Sequence, residues 1–370
     1  MKEIQELSID GMDLKFFNQK NLLIGSRGDP EPLTISGNSF IIDVGSFVYF
    51  HFFQDMIGQF LFLKDLVTDL RIIVLAETKE KYVNQSQNST RLIEECLESF
   101  GIKEQDFLYV EDQDILLEST VWVNSIYNNF ITKDKTNKLL ESKDQDYLKY
   151  NIEIFKKIKN HYSYLISDYP KIDKIFVSRK IQNDQIRKSK DLLDSYRKGF
   201  SYEELVDMYP EYTKNSREVE LLLGRIIEKF ISLEEEELLE NFFISKGYTI
   251  VTPENFSFSE QINMYNKATH IASIIGSGLH NCIFAQDSAK VFIVNINNID
   301  RFDYDNICAV ATKNIYHIPL ITNATILPST YEIPKNEIDE IIETYGGADQ
   351  KLYTVNTIIE FCEKYLNHIL

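Results

Sequence analysis

Apolar positions along this chain change their period several times, and each change marks an element. From Met1 to about Phe40 they alternate, with Leu14 and Phe16 and then Leu22 and Ile24 set between turn signals at Gly11, Gly25 and Gly28-Asp29-Pro30. That pattern predicts a β-rich entry segment. Ile41-Ile42 then leads through Val44-Gly45-Ser46 into a long helix expected from about Phe50 to Asp69. The helix is apolar on most sides and keeps one polar stripe, His51, Asp55 and Gln59, which the four-residue spacing stacks on a single face. Arg71 to Ala76 (RIIVLA) reads as a buried strand, Ser89 to Phe100 as a helix, and Phe107 to Val110 and Ile115 to Val123 as further strands.

Lys138 to Tyr164 is a charged, helix-like connector, and Pro170 marks the boundary behind it. Ile172 to Ser178 (IDKIFVS) is the next strand and delivers Arg179-Lys180 to its carboxyl end. A helical insertion follows over residues 181–230. The stretch Lys246 to Ala285 then reads as one βαβ unit. Tyr248 to Val251 is a strand stopped by Pro253, and Ser257 caps a helix with Glu260 as its capping-box partner and Ile262, Tyr265 and Ala268 behind it. His270 to Ile275 runs from there into Gly276-Ser277-Gly278. Val291 to Asn295 is another buried strand, Ile315 to Ile318 an edge strand, and Thr354 caps a last helix. Strands alternating with helices predict an α/β fold with doubly wound parallel sheets. The length of 370 residues suits two domains, 1–168 and 169–345, followed by a C-terminal helix in 346–370.

Three places carry candidate chemistry. A glycine turn that opens a helix offers backbone N–H groups and a positive dipole end to an anion, although such a tripeptide is more often an ordinary tight turn. Its company strengthens the case: Glu254, Ser257, Glu260 and Gln261 cluster at the previous strand end, and Asn281 lies just inside the next helix. Arg179 and Lys180 suit a diphosphate, the first by bidentate contact and the second as a point charge; exposed basic pairs are also common surface. The stripe of His51 and Asp55 is either the wet side of a core helix or a carboxylate and imidazole lining a cleft as a general-base pair. Three D-x-D patterns, at Asp112, Asp144 and Asp303, follow no clear core strand, and no metal site is expected from them.

Charge and cysteine usage narrow the class. With 57 acidic against 39 basic residues the formal charge is −18, which repels phosphate backbones and argues against nucleic-acid binding. The acids of Leu233 to Glu240 read as a solvated helix face. Cys96, Cys282, Cys308 and Cys362 are too widely spaced for a zinc knuckle or disulfide framework. The N-terminus lacks the apolar core of a signal peptide, so a cytoplasmic location is expected. Phe47 to Leu63 is interrupted by His51, Gln54, Asp55 and Gln59, which excludes it as a membrane span and leaves peripheral contact open.

The βαβ stretch resembles the signature of glycosyltransferase family 61. Gly247-Tyr248, Val251, Pro253-Glu254, Ser257-Phe258, Glu260-Gln261, Ala268, Gly276, Gly278-Leu279, Asn281 and Phe284 match it in order and spacing. Phe50-His51-Phe52 with Asp55, and Ser178-Arg179, look like two further motifs of that family. Two positions depart: Ile275 stands where the family carries a histidine, for which His280 is a candidate substitute, and Leu233 stands where it carries an asparagine.

The resemblance implies two Rossmann-like domains facing a cleft, a GT-B-like arrangement, with the C-terminal helix returning to the first domain. It implies an inverting glycosyltransferase that moves a sugar from a nucleotide sugar, UDP-linked, to a hydroxyl of a glycan acceptor, with no metal or other cofactor. Asp55 and His51 would be catalytic, in either order as base. Arg179, Lys180, Glu254, Ser257, Gln261, Gly276, Ser277, Gly278, His280 and Asn281 would bind the donor. Two alternatives remain open at this level: a polysaccharide pyruvyl transferase, and a donor-binding or assembly subunit without chemistry. Sugar, acceptor and oligomeric state are not written in the sequence.

Overall fold

The computed structural model describes residues 2–9, 12–25, 31–44, 52–76, 87–123, 142–168, 170, 172–181, 183–184, 190–210, 219, 223, 231–274, 276–294, 314–318, 355–368 and 370. The alternating entry segment forms β1 (Lys2–Ile9), β2 (Met12–Ile24) and β3 (Leu33–Asp43). A π-helical turn, Phe52–Gly58, continues into α1 (Gln59–Leu63). Then come β4 (Arg71–Ala76), α2 (Gln87–Glu98), β5 (Leu108–Tyr109), β6 (Ile115–Val123) and α3 (Ser142–His161). The remainder runs β7 (Lys174–Val177), α4 (Lys190–Arg197), α5 (Tyr202–Met208), α6 (Leu233–Ser245), β8 (Thr249–Val251), α7 (Phe258–Lys267) and β9 (His270–Ile274). A 3₁₀ helix (Ser277–Phe284), β10 (Lys290–Val294), β11 (Asn314–Ile318) and α8 (Val355–Phe361) complete it.

The expected α/β class is found, as two sheets rich in parallel strands. The first has the order β1-β2-β6-β3-β4-β5 and is mixed rather than wholly parallel. β1 pairs antiparallel with β2 and β2 with β6, while β3, β4, β5 and β6 run parallel. The two-residue link between β1 and β2 is too short for the crossover that parallel pairing demands. The second sheet, β11-β10-β9-β7-β8, is parallel throughout.

Both faces of the second sheet are apolar, and this decides what covers them. Ile175, Val177, Ile271, Val291 and Ile293 face one way and join a core that continues through α7 to Phe40, Ile42 and Val74 of the first sheet. Tyr162 sits within it, fully buried, with the rings of Phe258 and Phe284 edge-on at 4.9 and 6.4 Å. Phe176, Ala272, Ile274, Phe292, Val294 and Tyr316 face the other way. Leu239, Phe242 and Phe243 of α6 cover part of that face.

The C-terminal helix, expected on the first domain, covers the rest: Val355, Ile358, Phe361, Cys362 and Leu366 are buried there. A second face left bare would leave its strand side chains in water, and this is the physical reason for the correction. The helix expected from Phe50 to Asp69 is also shorter. Its α-helical part stops at Leu63, and Asp69 takes the left-handed conformation at φ 55°, which a helix cannot pass through. The insertion carries the helices α4 and α5, and Leu192, Leu205, Val219 and Leu223 give it a small core of its own.

Candidate functional site

Counted along the chain, the second sheet has its first strand, β7, between the second, β8, and the third, β9. The chain therefore leaves β7 toward one side and returns on the other, which makes the carboxyl ends of β7 and β9 the switch point of the sheet, where ligands of open α/β sheets commonly sit. Those two loops carry Arg179 and Gly276-Ser277-Gly278.

They touch. A Cβ on Gly276 would lie 2.6 Å from Cζ and Nη1 of Arg179 and 2.8 Å from its Nε, so the guanidinium rests directly on the glycine. Gly276 is extended, at φ 165°, a conformation open to any residue; glycine is required here for room, not for dihedral freedom. Two residues on, a Cβ at Gly278 would lie 2.8 Å from Cγ1 of Val177. The hydroxyl of buried Tyr265 donates to the Gly278 carbonyl at 2.6 Å. The turn opens a helix as expected, here of the 3₁₀ type, with the Leu279 N–H returning to the Gly276 carbonyl at 3.0 Å. Arg179 is only 8% exposed, so its charge lies in a medium where its attraction for an anion is little screened.

The corner bearing Arg179 is held by α6. The Ser178 hydroxyl donates to Glu240 at 2.6 Å, and the Asn183 amide donates to Glu236 at 3.0 Å. The Asn183 N–H closes the corner on the Arg179 carbonyl at 2.8 Å. Lys180 lies 3.6 Å from Glu237 in a half-exposed pair on the same helix. The acidic run of α6 is thus not simply the solvated face its composition suggests, because Glu236 is buried at 1% exposure and its partner lies 53 residues away.

Gln261 and Asn281, both buried, form a relay. Asn281 Nδ2 donates to Gln261 Oε1 at 2.8 Å, and Gln261 Nε2 donates to the carbonyls of Pro253 and Phe256 at 2.8 and 3.1 Å. It ties the 3₁₀ helix after the glycine turn to the loop carrying Glu254. From the other side Arg91 of α2 donates to the carbonyls of Glu254 and Phe256 at 3.0 and 2.8 Å. Glu95, one turn on, accepts from the Phe258 N–H. Ser257 caps α7 as expected: its N–H and hydroxyl each donate to Glu260 Oε2 at 2.8 Å, and the backbone bond leads in holding the Glu260 carboxyl below the usual carboxylate range. His280 is buried at 6% exposure.

Asp55 has its backbone in the π-helical turn that follows β3, and its side chain lies outside the described residues, as do all of His51 and Ile275 and the side chain of Ser277. Turns of this kind are rare and concentrate at functional sites. Gln59, the third member of the polar stripe, is buried with Phe60, Leu61, Phe62 and Leu63, so it belongs to the core. Among the D-x-D aspartates, Asp114 is buried at 1%. Among the described residues no group of three or more His, Cys, Asp or Glu stands together to hold a metal.

The site is thus a parallel α/β sheet with an arginine laid over a glycine at its switch point. Residues 228–292 match the family model described as Glycosyltransferase 61. The matched segment takes in α6, the Glu254 loop, α7 and the glycine turn, while Arg179 precedes it. No curated protein matches the chain. A match over this segment suggests glycosyltransferase activity, which would call for a sugar donor and an acceptor. No helix among the described residues is long and apolar enough to cross a membrane.

Proposed function

We propose that this chain is an inverting glycosyltransferase that takes a sugar from a UDP-linked donor and places it on a hydroxyl of a glycan acceptor in the cytoplasm. One observation carries the donor half of this reading: the Arg179 guanidinium lies on Gly276 at the switch point of the parallel sheet. There it would neutralise the diphosphate as the glycosidic bond breaks, with the backbone of residues 276–278 alongside and Lys180 and His280 adding donors nearby. Glu254 would accept from ribose hydroxyls, on a loop held by Gln261 and Arg91.

The acceptor half rests on Asp55 and His51 in and before the π-helical turn. One of the pair takes the hydroxyl proton while the acceptor oxygen attacks the anomeric carbon from the face opposite the nucleotide. One displacement of this kind inverts the anomeric configuration and requires no metal. On this reading residues 1–168 hold the acceptor and 169–345 the donor, across a groove.

The test is incubation with a panel of nucleotide sugars and a glycan acceptor, with NMR of the product and a parallel run in EDTA. Transfer from a UDP-sugar with an inverted anomeric centre, undiminished by EDTA, is the expected result. Retention of configuration or strict dependence on manganese would overturn the mechanism.

A further inference from the structure

We propose that Glu236 and Glu240 of α6 are positioning residues for Arg179; this rests on the diphosphate reading of the Arg179 site. A carboxylate is costly to bury, and Glu236 is 1% exposed on a helix whose other inward positions, Leu239, Phe242 and Phe243, are apolar. What the acid does is accept from Asn183, whose own N–H closes on the Arg179 carbonyl at 2.8 Å.

One turn further along the same face, Glu240 accepts from Ser178 at 2.6 Å, and the Ser178 hydroxyl in turn accepts from the Lys180 N–H at 3.1 Å. The residues on both sides of Arg179 are therefore hooked to one rigid helix, while the Ser178 N–H continues the sheet to the Val251 carbonyl at 2.8 Å. The guanidinium meets Gly276 at the limit of contact, so a small rotation of this corner would lift it off the turn. The two acids fix the angle at which β7 hands over its arginine.

Charge and position predict opposite signs, which makes the idea testable. Acids that merely lay near an anion site would repel a diphosphate, and any neutral replacement would tighten its binding. Acids that hold the corner are needed for their oxygen atoms. Glutamine keeps an acceptor oxygen at the same place and alanine keeps none.

The experiment is titration calorimetry of UDP with the full chain, the Glu240→Ala, Glu240→Gln, Glu236→Ala and Glu236→Gln variants, and thermal melting of each. The expected result is a Kd raised about tenfold by each alanine variant and restored to within about twofold of the parent by each glutamine variant, a loss of the size of one charge-assisted hydrogen bond. Tighter binding by the alanine variants, or equal binding by all, would overturn the proposal. Should Glu240→Ala fail to fold, Ser178→Ala removes the same hook from the other end, and should Glu236→Ala fail, Asn183→Ala does so; each is expected to weaken UDP binding likewise, and unchanged affinity there would overturn the proposal too. If the parent chain itself binds no UDP, the diphosphate reading fails first, and that outcome is distinct from an unaltered Kd in the variants.

Discussion

The guanidinium of Arg179 lies where a side chain at Gly276 would begin, 2.6 Å from the position of its Cβ. A strand end and a turn 97 positions further on are thereby made into one surface, and the donor chemistry proposed for this chain depends on that contact.

Replacing Arg179 should therefore act on ligand affinity before anything else. Arg179→Ala is expected to weaken binding of a nucleoside diphosphate by roughly a hundredfold or more, the scale for losing one partner of a desolvated charge contact. Arg179→Lys should recover only part, because an ammonium cannot reproduce the planar fork. Titration calorimetry reads both, and undiminished binding by Arg179→Ala would remove the residue from the site.

The two glycines of the turn should fail differently. At Gly276 an added methyl meets the end of a flexible side chain, so Gly276→Ala should fold normally and bind donor poorly, with Arg179 pushed aside. At Gly278 the methyl meets Val177 Cγ1 at 2.8 Å inside the core, and Gly278→Ala should cost about 1–3 kcal/mol of stability. Melting curves beside binding isotherms separate the two effects; equal melting temperatures for both variants would contradict the geometry.

Arg91 should matter to a loop 163 residues away in sequence. Arg91→Ala removes two donors from the carbonyls of Glu254 and Phe256, and amide hydrogen exchange across residues 253–257 should quicken while that of β9 is unchanged. Unaltered exchange in the loop would show that Gln261 holds it alone.

Alkaline pH should destabilise the chain. Burial pushes the Cys96 thiol and the Tyr162 phenol well above their ordinary values, and raises Tyr248 and Cys362 in the same direction. Each group contributes stability that is complete below its unfolded value and is lost as pH rises past it toward the folded one. The melting temperature should fall from about pH 8.5, where unfolded thiols ionise, and faster above about 10, where unfolded phenols do. A melting temperature constant to pH 10.5 would show that these groups ionise without unfolding.

What could be read from the sequence was whatever is local. β6 and β4 fall where their apolar runs begin and end, and Ser257 with Glu260 announces the start of α7 four residues at a time. Arg179 was visible because the short apolar run Ile175 to Val177 is followed, one serine later, by a basic pair. The roles of Glu236 and Arg91 were not, since a carboxylate beside three other acids looks solvated until Asn183 arrives from a distant segment, and backbone carbonyls leave no mark on composition. Gln261 and Asn281 were legible as polar residues near a turn, but their partnership with each other, 20 positions apart, depends on how α7 lies over the 3₁₀ helix. The C-terminal helix went to the second sheet for want of cover on Phe176 and Phe292, a need that appears only once strand faces are known.

Tyr162, clasped by Phe258 and Phe284, means that the front and back of this polypeptide are not modules to be cut apart and swapped. A fragment severed after residue 168 would carry a raw greasy flank, and its complement would carry the matching socket. The whole should melt in a single step, so that any ligand held beside Arg179 would lend its heat resistance to strands it never touches.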